Sequence, residues 1–443
     1  MKMFLSQLCE ILNTKPLCTA EFAPNTSVLG ITTDTRTIAP GGIFVALSGE
    51  NFDGHNFVNT AVANGAIAVI VSRQLNVDLP QFIVKDTLEA YQQIARWWRD
   101  RFDIPVIGIT GSVGKTSTKE LISAVLSTKG KVLKTEANFN NEIGVPRTLL
   151  QITSEHDYAV IEMAMRAAGE IALLTDIARP TIGVITNVGT AHIGRLGSRE
   201  AIAQAKCELL ARMPQSSTAI LNYDNSLLLS TALEVWQEKT ITYGLTGGDI
   251  KGDIQGDTIK ALDRSFALPL SGEHNASNYL AALAVAKELD VDLDPLIAGL
   301  EVELPKGRSR RYNLPNDIVI LDETYNAGLE SMLAALQMLQ QTSGKRHIAV
   351  LGTMKELGEY SPQLHRQVGE KARELGLDLL LVLADETATE EIANGAKEID
   401  AECFSDRATL TARLKEVMRP GDRILCKASN SVGLNKVVEE LIK

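Results

Sequence analysis

The sequence contains few cysteines, no long apolar run and no block of basic residues. Its five cysteines are odd in number and never form a CxxC pair: Cys9, Cys18, Cys207, Cys403 and Cys426. This pattern argues against a disulfide framework or a cysteine-based zinc site and favours reduced thiols. No apolar stretch approaches the roughly 18 residues that a membrane-spanning helix needs. We therefore expect a cytoplasmic protein with no membrane partner.

The charge balance disfavours nucleic acid as a partner. The chain carries 44 Lys and Arg against 55 Asp and Glu, a formal net charge of −11. Without a compensating basic cluster, this negative field repels phosphate backbones. We therefore expect small-molecule partners, and an anionic substrate would need local basic residues or helix N-termini at its site.

The length of 443 residues predicts an α/β protein of three domains, because one hydrophobic core rarely grows past about 250–300 residues. Residues 1–85 indicate a small α/β domain whose start, MKMFLSQLCEILN, suits an amphipathic helix better than a signal peptide. Residues 86–311 indicate a central domain with a mostly parallel sheet, because its apolar runs suit strands covered on both faces. Residues 312–443 alternate regularly and predict a doubly wound, Rossmann-like domain.

The predicted strands of the two larger domains are short apolar runs. In the central domain they are Val106–Thr110, Tyr158–Ala164 and Thr181–Val188. In the last domain they are Ile318–Leu321, His347–Leu351, Leu377–Leu383 and Arg423–Cys426. The stretch 244–273 is richer in Gly, Asp and Thr, which predicts turns and short strands.

The strongest motif is a glycine-rich loop between a predicted strand and a predicted helix. It consists of Thr110, Gly111, Ser112, Val113, Gly114, Lys115, Thr116 and Ser117. Such a loop aims N–H groups at phosphates, its lysine reaches the β- and γ-phosphates, and its threonine hydroxyl can bind magnesium. The usual pattern has glycine where this chain has Ile109, so the loop is a variant. A chance glycine turn is the alternative, and the strand–loop–helix context argues against it.

Two polar residues follow apolar runs of the predicted parallel sheet. Glu162 follows YAVI, and His192 follows TIGVITNVGTA. Ligands gather at the carboxyl ends of parallel strands, and a carboxylate suits magnesium, although an imidazole is an unusual ligand for it. Glu162 could also simply end a strand at the surface, and His192 could be a loop histidine. Spacing alone leaves both interpretations open.

Taken together, these residues resemble the Mur ligase family over nearly the whole chain. The family pattern of TGxxGKT, a strand-end Glu, NVxxAH and an AK-containing helix appears here as TGSVGKT, Glu162, NVGTAH and Ala205-Lys206. In the family that lysine is carbamylated by CO₂ and helps to hold a second magnesium ion. The resemblance implies ATP and Mg²⁺, held by Thr116, Glu162, His192 and carbamylated Lys206. Without the resemblance, Lys206 would be interpreted as a solvated helix lysine.

Other segments of the first two domains resemble the family's substrate-binding regions. Asp34-Thr35-Arg36 is similar to the segment that binds UDP, and Asn138–Pro146 is similar to the segment near the acyl-transfer site. The resemblance therefore implies a substrate-binding set, to which Arg166 is added from its position after the Glu162 strand: Asp34, Thr35, Arg36, Asn140, Asn141 and Arg166. The implied catalytic residues are Lys115, Asn141, His192 and Lys206.

Two further segments imply contacts to the nucleotide. His274, Asn275 and Asn278 resemble the helix start that contacts the adenine region, and the same stretch also suits a helix N-cap. Arg308, in Gly307-Arg308, matches an arginine that links domain closure to phosphate. We therefore expect His274, Asn275, Asn278 and Arg308 to join the glycine-rich loop in binding ATP.

The last domain both matches the family and departs from it. Asp322–Ala327 resembles the family's D[DE]xYNA motif and implies that Asp322, Tyr325 and Asn326 bind the incoming amine. Three segments differ: YNAGL replaces YNANP, LGTM replaces LGDM at Thr353, and KASNS replaces KGSR at Asn430. These changes leave the expected ATP chemistry intact and concern the amine.

The resemblance implies a monomeric ATP-dependent ligase of peptidoglycan precursor synthesis. Its expected substrates are UDP-N-acetylmuramoyl-tripeptide, D-alanyl-D-alanine and ATP, joined through an acyl phosphate. Three alternatives remain: a folylpolyglutamate-like amino-acid ligase, against which the UDP segment argues; a nucleotide-binding paralogue without catalysis; and a P-loop kinase or transporter ATPase, which would not need the other two domains.

Overall fold

The computed structural model describes residues 3–18 and 23–443. The first region of the chain contains a four-stranded parallel sheet. The sheet has the order β3-β4-β7-β8, and β1-β2 and β5-β6 form short antiparallel ladders. The expected first helix runs over Leu5–Ile11, and the first two residues of its predicted segment lie outside the described residues. The elements are β1 Met3–Phe4, α1 Leu5–Ile11, β2 Ser27–Val28, β3 Gly30–Thr32, β4 Gly42–Val45, β5 Ser48–Gly49, β6 Phe52–Asp53, α2 Val58–Ala63, β7 Ala68–Val71 and β8 Gln81–Ile83.

A seven-stranded parallel sheet of order β10-β11-β9-β12-β13-β14-β15 forms the middle of the molecule, followed by the antiparallel sheet β16-β17-β18. The elements are α3 Thr87–Arg99, β9 Val106–Thr110, α4 Lys115–Leu126, β10 Val132–Lys134, α5 Gly144–Leu149, β11 Tyr158–Glu162, α6 Glu170–Ala178, β12 Ile182–Ile185, α7 Ile193–Leu196, α8 Arg199–Arg212, β13 Thr218–Asn222, α9 Ser226–Val235, β14 Thr240–Gly244, β15 Ile250–Lys251, β16 Asp253–Gln255, β17 Thr258–Ala261, β18 Arg264–Ala267, α10 Glu273–Glu288 and α11 Asp294–Ile297.

A six-stranded sheet of order β19-β20-β24-β21-β22-β23 completes the chain, with only β19 antiparallel to its neighbour. The elements are β19 Arg310–Leu314, β20 Ile318–Asp322, α12 Leu329–Gln341, β21 Arg346–Gly352, α13 Ser361–Glu374, β22 Leu379–Leu383, α14 Glu391–Gly395, β23 Ala401–Phe404, α15 Arg407–Val417, β24 Asp422–Lys427 and α16 Asn435–Leu441.

The predicted α/β fold with mostly parallel sheets is confirmed. The stretch 244–273 holds short strands, as expected from its composition. β19 was not predicted, because its sequence RRYNL is polar and its pairing depends on β20. The predicted boundary after residue 311 falls inside β19, and the domain division itself stays a prediction.

The register of the middle sheet brings three strand ends together. β9 lies between β11 and β12, with Ile109 opposite both Glu162 and Val184. Helices α4 and α10 cover one face of this sheet, and α6 and α8 cover the other. The loop after β9, the end of β11 and the segment after β12 therefore meet at one edge, where parallel sheets bind ligands. Within the described part of the chain, no helix has the length and apolar character needed to cross a membrane.

Candidate active site

The glycine-rich loop connects β9 to the N-terminus of α4. Gly114 has a φ of 84°, and a Cβ there would lie 2.6 Å from the Asn278 side-chain oxygen, so only glycine fits. Lys115 Nζ donates to the Gly111 carbonyl at 2.8 Å and so curls back over the loop. Burial lowers the pKa of Lys115, Glu162 opposes that shift, and Arg308 adds to it. An anion at this helix N-terminus would meet backbone N–H groups and the lysine together.

Asn187, directly after β12, holds the loop in shape. Its side-chain oxygen accepts from the Val113 N–H at 3.0 Å, and its amide nitrogen donates to the Val113 carbonyl at 3.0 Å. Ser112 adds two contacts, donating its N–H to the Asn187 carbonyl at 3.1 Å and accepting from the Gly189 N–H at 2.9 Å. Sequence reasoning used Asn187 only as part of NVGTAH, and its role depends on the pairing of β9 with β12.

Glu162 ends β11 with its carboxylate turned toward the loop helix. It is 2% exposed, so it does not simply end a strand at the surface. Its Oε2 accepts from Thr116 Oγ1 at 2.9 Å, and its Oε1 accepts from Asn140 Nδ2 at 2.7 Å. The structure therefore places the predicted metal-binding hydroxyl and carboxylate side by side.

His192 has a left-handed backbone, with a φ of 67°. Its Nδ1 lies 2.6 Å from Oε2 of Glu356, in the loop that follows β21 of the last sheet. Burial lowers the pKa of His192, as do Lys115 and Lys206, while Glu356 opposes them. His192, in the middle region, therefore has its carboxylate partner in the last region of the chain.

Lys206, on α8, is not a solvated lysine. It is 1% exposed. Burial and the charge of Lys115 lower its pKa well below the ordinary value, and Cys207 opposes them weakly. Within residues 3–18 and 23–443 it makes no ion pair or hydrogen bond. Burial without a partner favours the neutral amine of this side chain over its ammonium form.

The donor set at the loop fits magnesium only in part. Among the described residues, no three His, Cys, Asp or Glu side chains converge on a point where a metal could sit. Mg²⁺ is commonly held by one or two carboxylates together with substrate phosphates and water, which suits the Thr116 and Glu162 pair. Neither the His192 side chain nor the Lys206 side chain carries an oxygen atom. For these positions to supply the oxygen ligands that Mg²⁺ prefers, an oxygen donor would have to be added.

A cavity of about 290 Å³ lies between the middle and last regions. Most of the predicted nucleotide-binding residues line it, as do Tyr325 and Asn326. Other lining residues were not predicted, and the polar ones include Asn187, Glu323, Glu330 and Lys427. Asn187, Glu323 and Lys427 belong to the segments NVGTAH, DETYNA and KASNS, but sequence reasoning alone assigned none of them a role. The predicted residues in the lining are Ser112, Val113, Gly114, Lys115, Thr116, Ser117, His274, Asn275, Asn278 and Arg308. The phosphate loop and the last sheet therefore share one cavity.

The wall contributed by the last region is strongly polar. The Arg308 guanidinium lies 4.0 Å from the centre of the Tyr325 ring. Lys427 donates to the Asn326 carbonyl at 3.0 Å, and burial lowers its pKa. Asp322 does not line the cavity, because its carboxylate accepts from the Thr324 N–H and hydroxyl at 3.1 and 2.6 Å.

The last region also grips the segment after β12 directly. Glu330 accepts from the Thr190 N–H at 2.7 Å and from its hydroxyl at 3.2 Å. A Cβ on Gly189 would lie 2.5 Å from the same carboxylate, so any larger residue there would displace the Glu330 side chain. Tyr360 donates its hydroxyl to the Gly197 carbonyl at 2.8 Å. These contacts and the His192–Glu356 approach join the two regions at the site.

The residues predicted to bind the nucleotide sugar lie outside this cavity. Arg36, with an 87% exposed side chain, forms a bidentate pair with Asp34, which lowers the pKa of Asp34 to about 2. Asn141 accepts at 2.9 Å from the N–H of Gly144, the first residue of α5. Arg166 is exposed, and Thr35 lies in the same turn as Asp34. The positive charge of Arg147, on α5 of the middle region, also helps to lower the pKa of Asp34.

The altered LGTM segment has a structural replacement for its missing carboxylate. Thr353 hydrogen-bonds to Asp385, in the loop after the neighbouring strand β22, and to Thr389. Lys355 pairs with Asp385 and Glu386, each at 2.7 Å. A carboxylate thus lies beside position 353, although the loop after a different strand supplies it.

Comparison with known proteins covers the whole chain. Three family models match in order: "Mur ligase family, catalytic domain" at residues 27–99, "Mur ligase middle domain" at 109–286 and "Mur ligase, glutamate ligase domain" at 307–430. A UDP-N-acetylmuramoyl-tripeptide–D-alanyl-D-alanine ligase of Synechocystis sp. is 56% identical over 100% of this chain and 98% of its own. The Escherichia coli enzyme of the same name is 38% identical over 99% and 98%.

Solved structures show the same arrangement. A crystal structure of MurF from Acinetobacter baumannii aligns with a TM-score of 0.91 and 32% identity, covering 100% of this chain and 99% of its own. MurF ligase from Thermotoga maritima, solved in complex with ADP, aligns with a TM-score of 0.83 and 31% identity over 93% and 96%. The likeness therefore extends over all three regions.

Proposed function

This chain belongs to the Mur ligase family, and we propose that it is the ATP-dependent ligase that adds D-alanyl-D-alanine to UDP-N-acetylmuramoyl-tripeptide. One observation carries the proposal: the phosphate loop and the Tyr325-Asn326 turn line the same cavity. A nucleotide phosphate and an incoming amine can therefore meet there. The names of the full-length relatives agree with this substrate pair.

The first step is phosphoryl transfer. A terminal carboxylate oxygen of the tripeptide attacks the γ-phosphorus of ATP, a new O–P bond forms, and the bond to the β-phosphate oxygen breaks to release ADP. Lys115, the N-terminus of α4 and Arg308 would hold the phosphates in line and neutralise their charge. Asn187 contributes by fixing the loop at Val113.

The second step forms the amide. The free amine of D-alanyl-D-alanine attacks the acyl carbon, and a tetrahedral intermediate collapses to the amide, inorganic phosphate and a proton. Tyr325 and Asn326 would orient the dipeptide from the cavity wall. Asp322 would support them indirectly, because its carboxylate is used within the turn that carries them.

Magnesium, when bound, would neutralise the phosphate oxygens, and Thr116 and Glu162 are the residues suited to hold it. His192 and a carbamylated Lys206 would hold a second ion. In carbamylation the neutral Lys206 nitrogen attacks CO₂, a C–N bond forms and a proton leaves. Burial without a partner supports this, because it lowers the pKa of Lys206 and so favours the uncharged amine.

The nucleotide sugar would lie across the first and middle domains, contacted by Asp34, Thr35, Arg36, Asn140, Asn141 and Arg166. We further propose that the protein works in the cytoplasm as a monomer. Its three domains would meet near residues 85 and 311. All five cysteines are free thiols, as a reducing compartment favours.

The direct test is phosphate release from ATP with UDP-N-acetylmuramoyl-tripeptide, with and without D-alanyl-D-alanine. We expect release only when both are present, together with a UDP-pentapeptide product by mass spectrometry. Release that needs the tripeptide but ignores D-alanyl-D-alanine would keep the ligase class and reject the amine. No stimulation by either substrate would reject the proposal.

A further inference from the structure

Lys119 is a charged side chain in the interior of the phosphate-loop helix α4. It is 1% exposed. Its Nζ donates to the Thr135 carbonyl at 2.7 Å and lies 2.9 Å from Glu120 Oε1. Glu120 also pairs with Lys134, whose side chain is 44% exposed. Lys119 therefore ties α4 to the residue that follows β10.

Thr135 passes this connection on to Glu162. Its hydroxyl oxygen accepts from the Glu162 N–H at 3.0 Å. The Glu162 carboxylate in turn accepts from Thr116 at 2.9 Å. Because Thr116 and Lys119 are three residues apart on one helix, they are neighbours on its surface. Lys119, Thr135, Glu162 and Thr116 thus form a closed ring of contacts between α4 and two strand ends.

A lysine is a costly way to fill this volume. Removing an ammonium ion from water costs several kcal/mol, and apolar residues of similar size often replace buried ion pairs without loss of stability. Methionine could fill the space of Lys119, and Glu120 would keep Lys134 as its partner. What methionine could not do is hold the Thr135 carbonyl. The lysine therefore contributes placement of Thr135 rather than packing.

We propose that Lys119 is a positioning residue for magnesium binding: it acts through Thr135 to hold the Glu162 carboxylate beside the Thr116 hydroxyl. This inference rests on the proposed function, since it takes Thr116 and Glu162 as the oxygen donors for nucleotide-bound Mg²⁺. Lys119 itself is not among the residues that line the cavity. Residues that orient metal ligands in this way typically change metal affinity by about 10- to 100-fold when substituted.

The test measures binding rather than turnover. The full-length protein is titrated with the ATP analogue AMP-PNP at increasing Mg²⁺, by calorimetry, to find the Mg²⁺ concentration that gives half of the affinity gain. In Lys119→Met we expect this concentration to rise by about 10-fold or more. Lys119→Arg, which keeps a donor, should restore most of the loss. Lys129→Met is the matched control, because Lys129 also donates to main-chain carbonyls, at 2.8 and 3.0 Å, but beyond the far end of α4.

A double-mutant cycle separates positioning from a general loss of stability. Thr135→Val removes the hydroxyl that accepts from the Glu162 N–H. If Lys119→Met does not fold, Thr135→Val alone tests whether this connection affects the Mg²⁺ requirement. Adding Lys119→Met to Thr135→Val should change the Mg²⁺ requirement much less than Lys119→Met does alone. Equal effects in both backgrounds, or a Lys119→Met protein that behaves like Lys129→Met, would overturn the inference. Wild-type protein whose AMP-PNP affinity ignores Mg²⁺ would instead reject the proposed nucleotide site.

Discussion

The surroundings of Lys119 and of Lys206 show two outcomes of burying a lysine. Both side chains are 1% exposed. Lys119 faces Glu120 and the Thr135 carbonyl. Among the described residues Lys206 has no such partner, and the charge that lowers its pKa is that of another lysine, Lys115. An opposite charge favours the ammonium form, whereas burial alone disfavours it. The partner rather than the burial therefore separates a lysine that positions from a lysine that can react.

The largest expected effect is the loss of the reactive lysine. We expect Lys206→Ala to lower the rate of UDP-pentapeptide formation by about 100- to 1000-fold, because a charge-stabilising group at the site is lost. Added formate or acetate should restore part of the rate by supplying a carboxylate in the vacated space. Full activity in Lys206→Ala, with no response to either anion, would remove the distinction between the two lysines.

A smaller effect is expected when the Glu162 carboxylate, which Lys119 positions through Thr135, is neutralised. Glu162→Gln keeps the size of the side chain but removes its charge, so Mg²⁺ binding with AMP-PNP should weaken by about 10- to 100-fold. The same calorimetric titration measures it, with the exposed Glu155→Gln as control. Unchanged Mg²⁺ dependence would mean that Glu162 is not a metal donor and that Lys119 has nothing to position.

The contact between Glu330 and Thr190 should matter less, since glutamine keeps a hydrogen-bond acceptor. We expect Glu330→Gln to cost about 1 kcal/mol, which corresponds to a roughly fivefold lower kcat/KM. The loss should leave the Mg²⁺ requirement unaltered, because the ring around Glu162 lies within the middle region. A changed Mg²⁺ requirement would show that contacts from the last region, and not Lys119, set the metal site.

The smallest effect concerns stability. At pH values between the lowered pKa of Lys206 and its ordinary value, the unfolded chain binds more protons than the folded one, so this lysine makes the free energy of unfolding rise with pH. In CO₂-free buffer, Lys206→Met should remove that slope and raise the midpoint of thermal unfolding by about 2–4 °C for each 1 kcal/mol gained. Lys119→Met should not stabilise, because Lys119 has partners to lose. Stabilisation of both variants would contradict the difference proposed between Lys119 and Lys206.

Much of the middle region could be predicted because its signals are local. The run Val106–Thr110 is bounded by Pro105 and Gly111, and both ends of β9 match the structure. Glu162 was placed at a strand end by the apolar run before it, which the end of β11 confirms. Local apolar patterns and turn residues determine such features.

The rest depends on contacts between distant residues. Glu330 and Thr190 are 140 residues apart in the sequence, and no short pattern predicts their contact. Lys119 lies on a helix whose sequence, KTSTKELISAVL, does not show that this lysine is buried by both a sheet and a second helix. Lys206 was identified only through family resemblance, since its burial comes from tertiary packing.

The difference between Lys206 and Lys119 is tested most directly by ¹³C NMR of the full-length protein in ¹³C-bicarbonate. We expect a carbamate carbonyl signal in the wild-type protein and in Lys119→Met, and its absence in Lys206→Met. A signal that survives in Lys206→Met, or one that Lys119→Met abolishes, would contradict the assignment of a reactive role to Lys206 and a positioning role to Lys119.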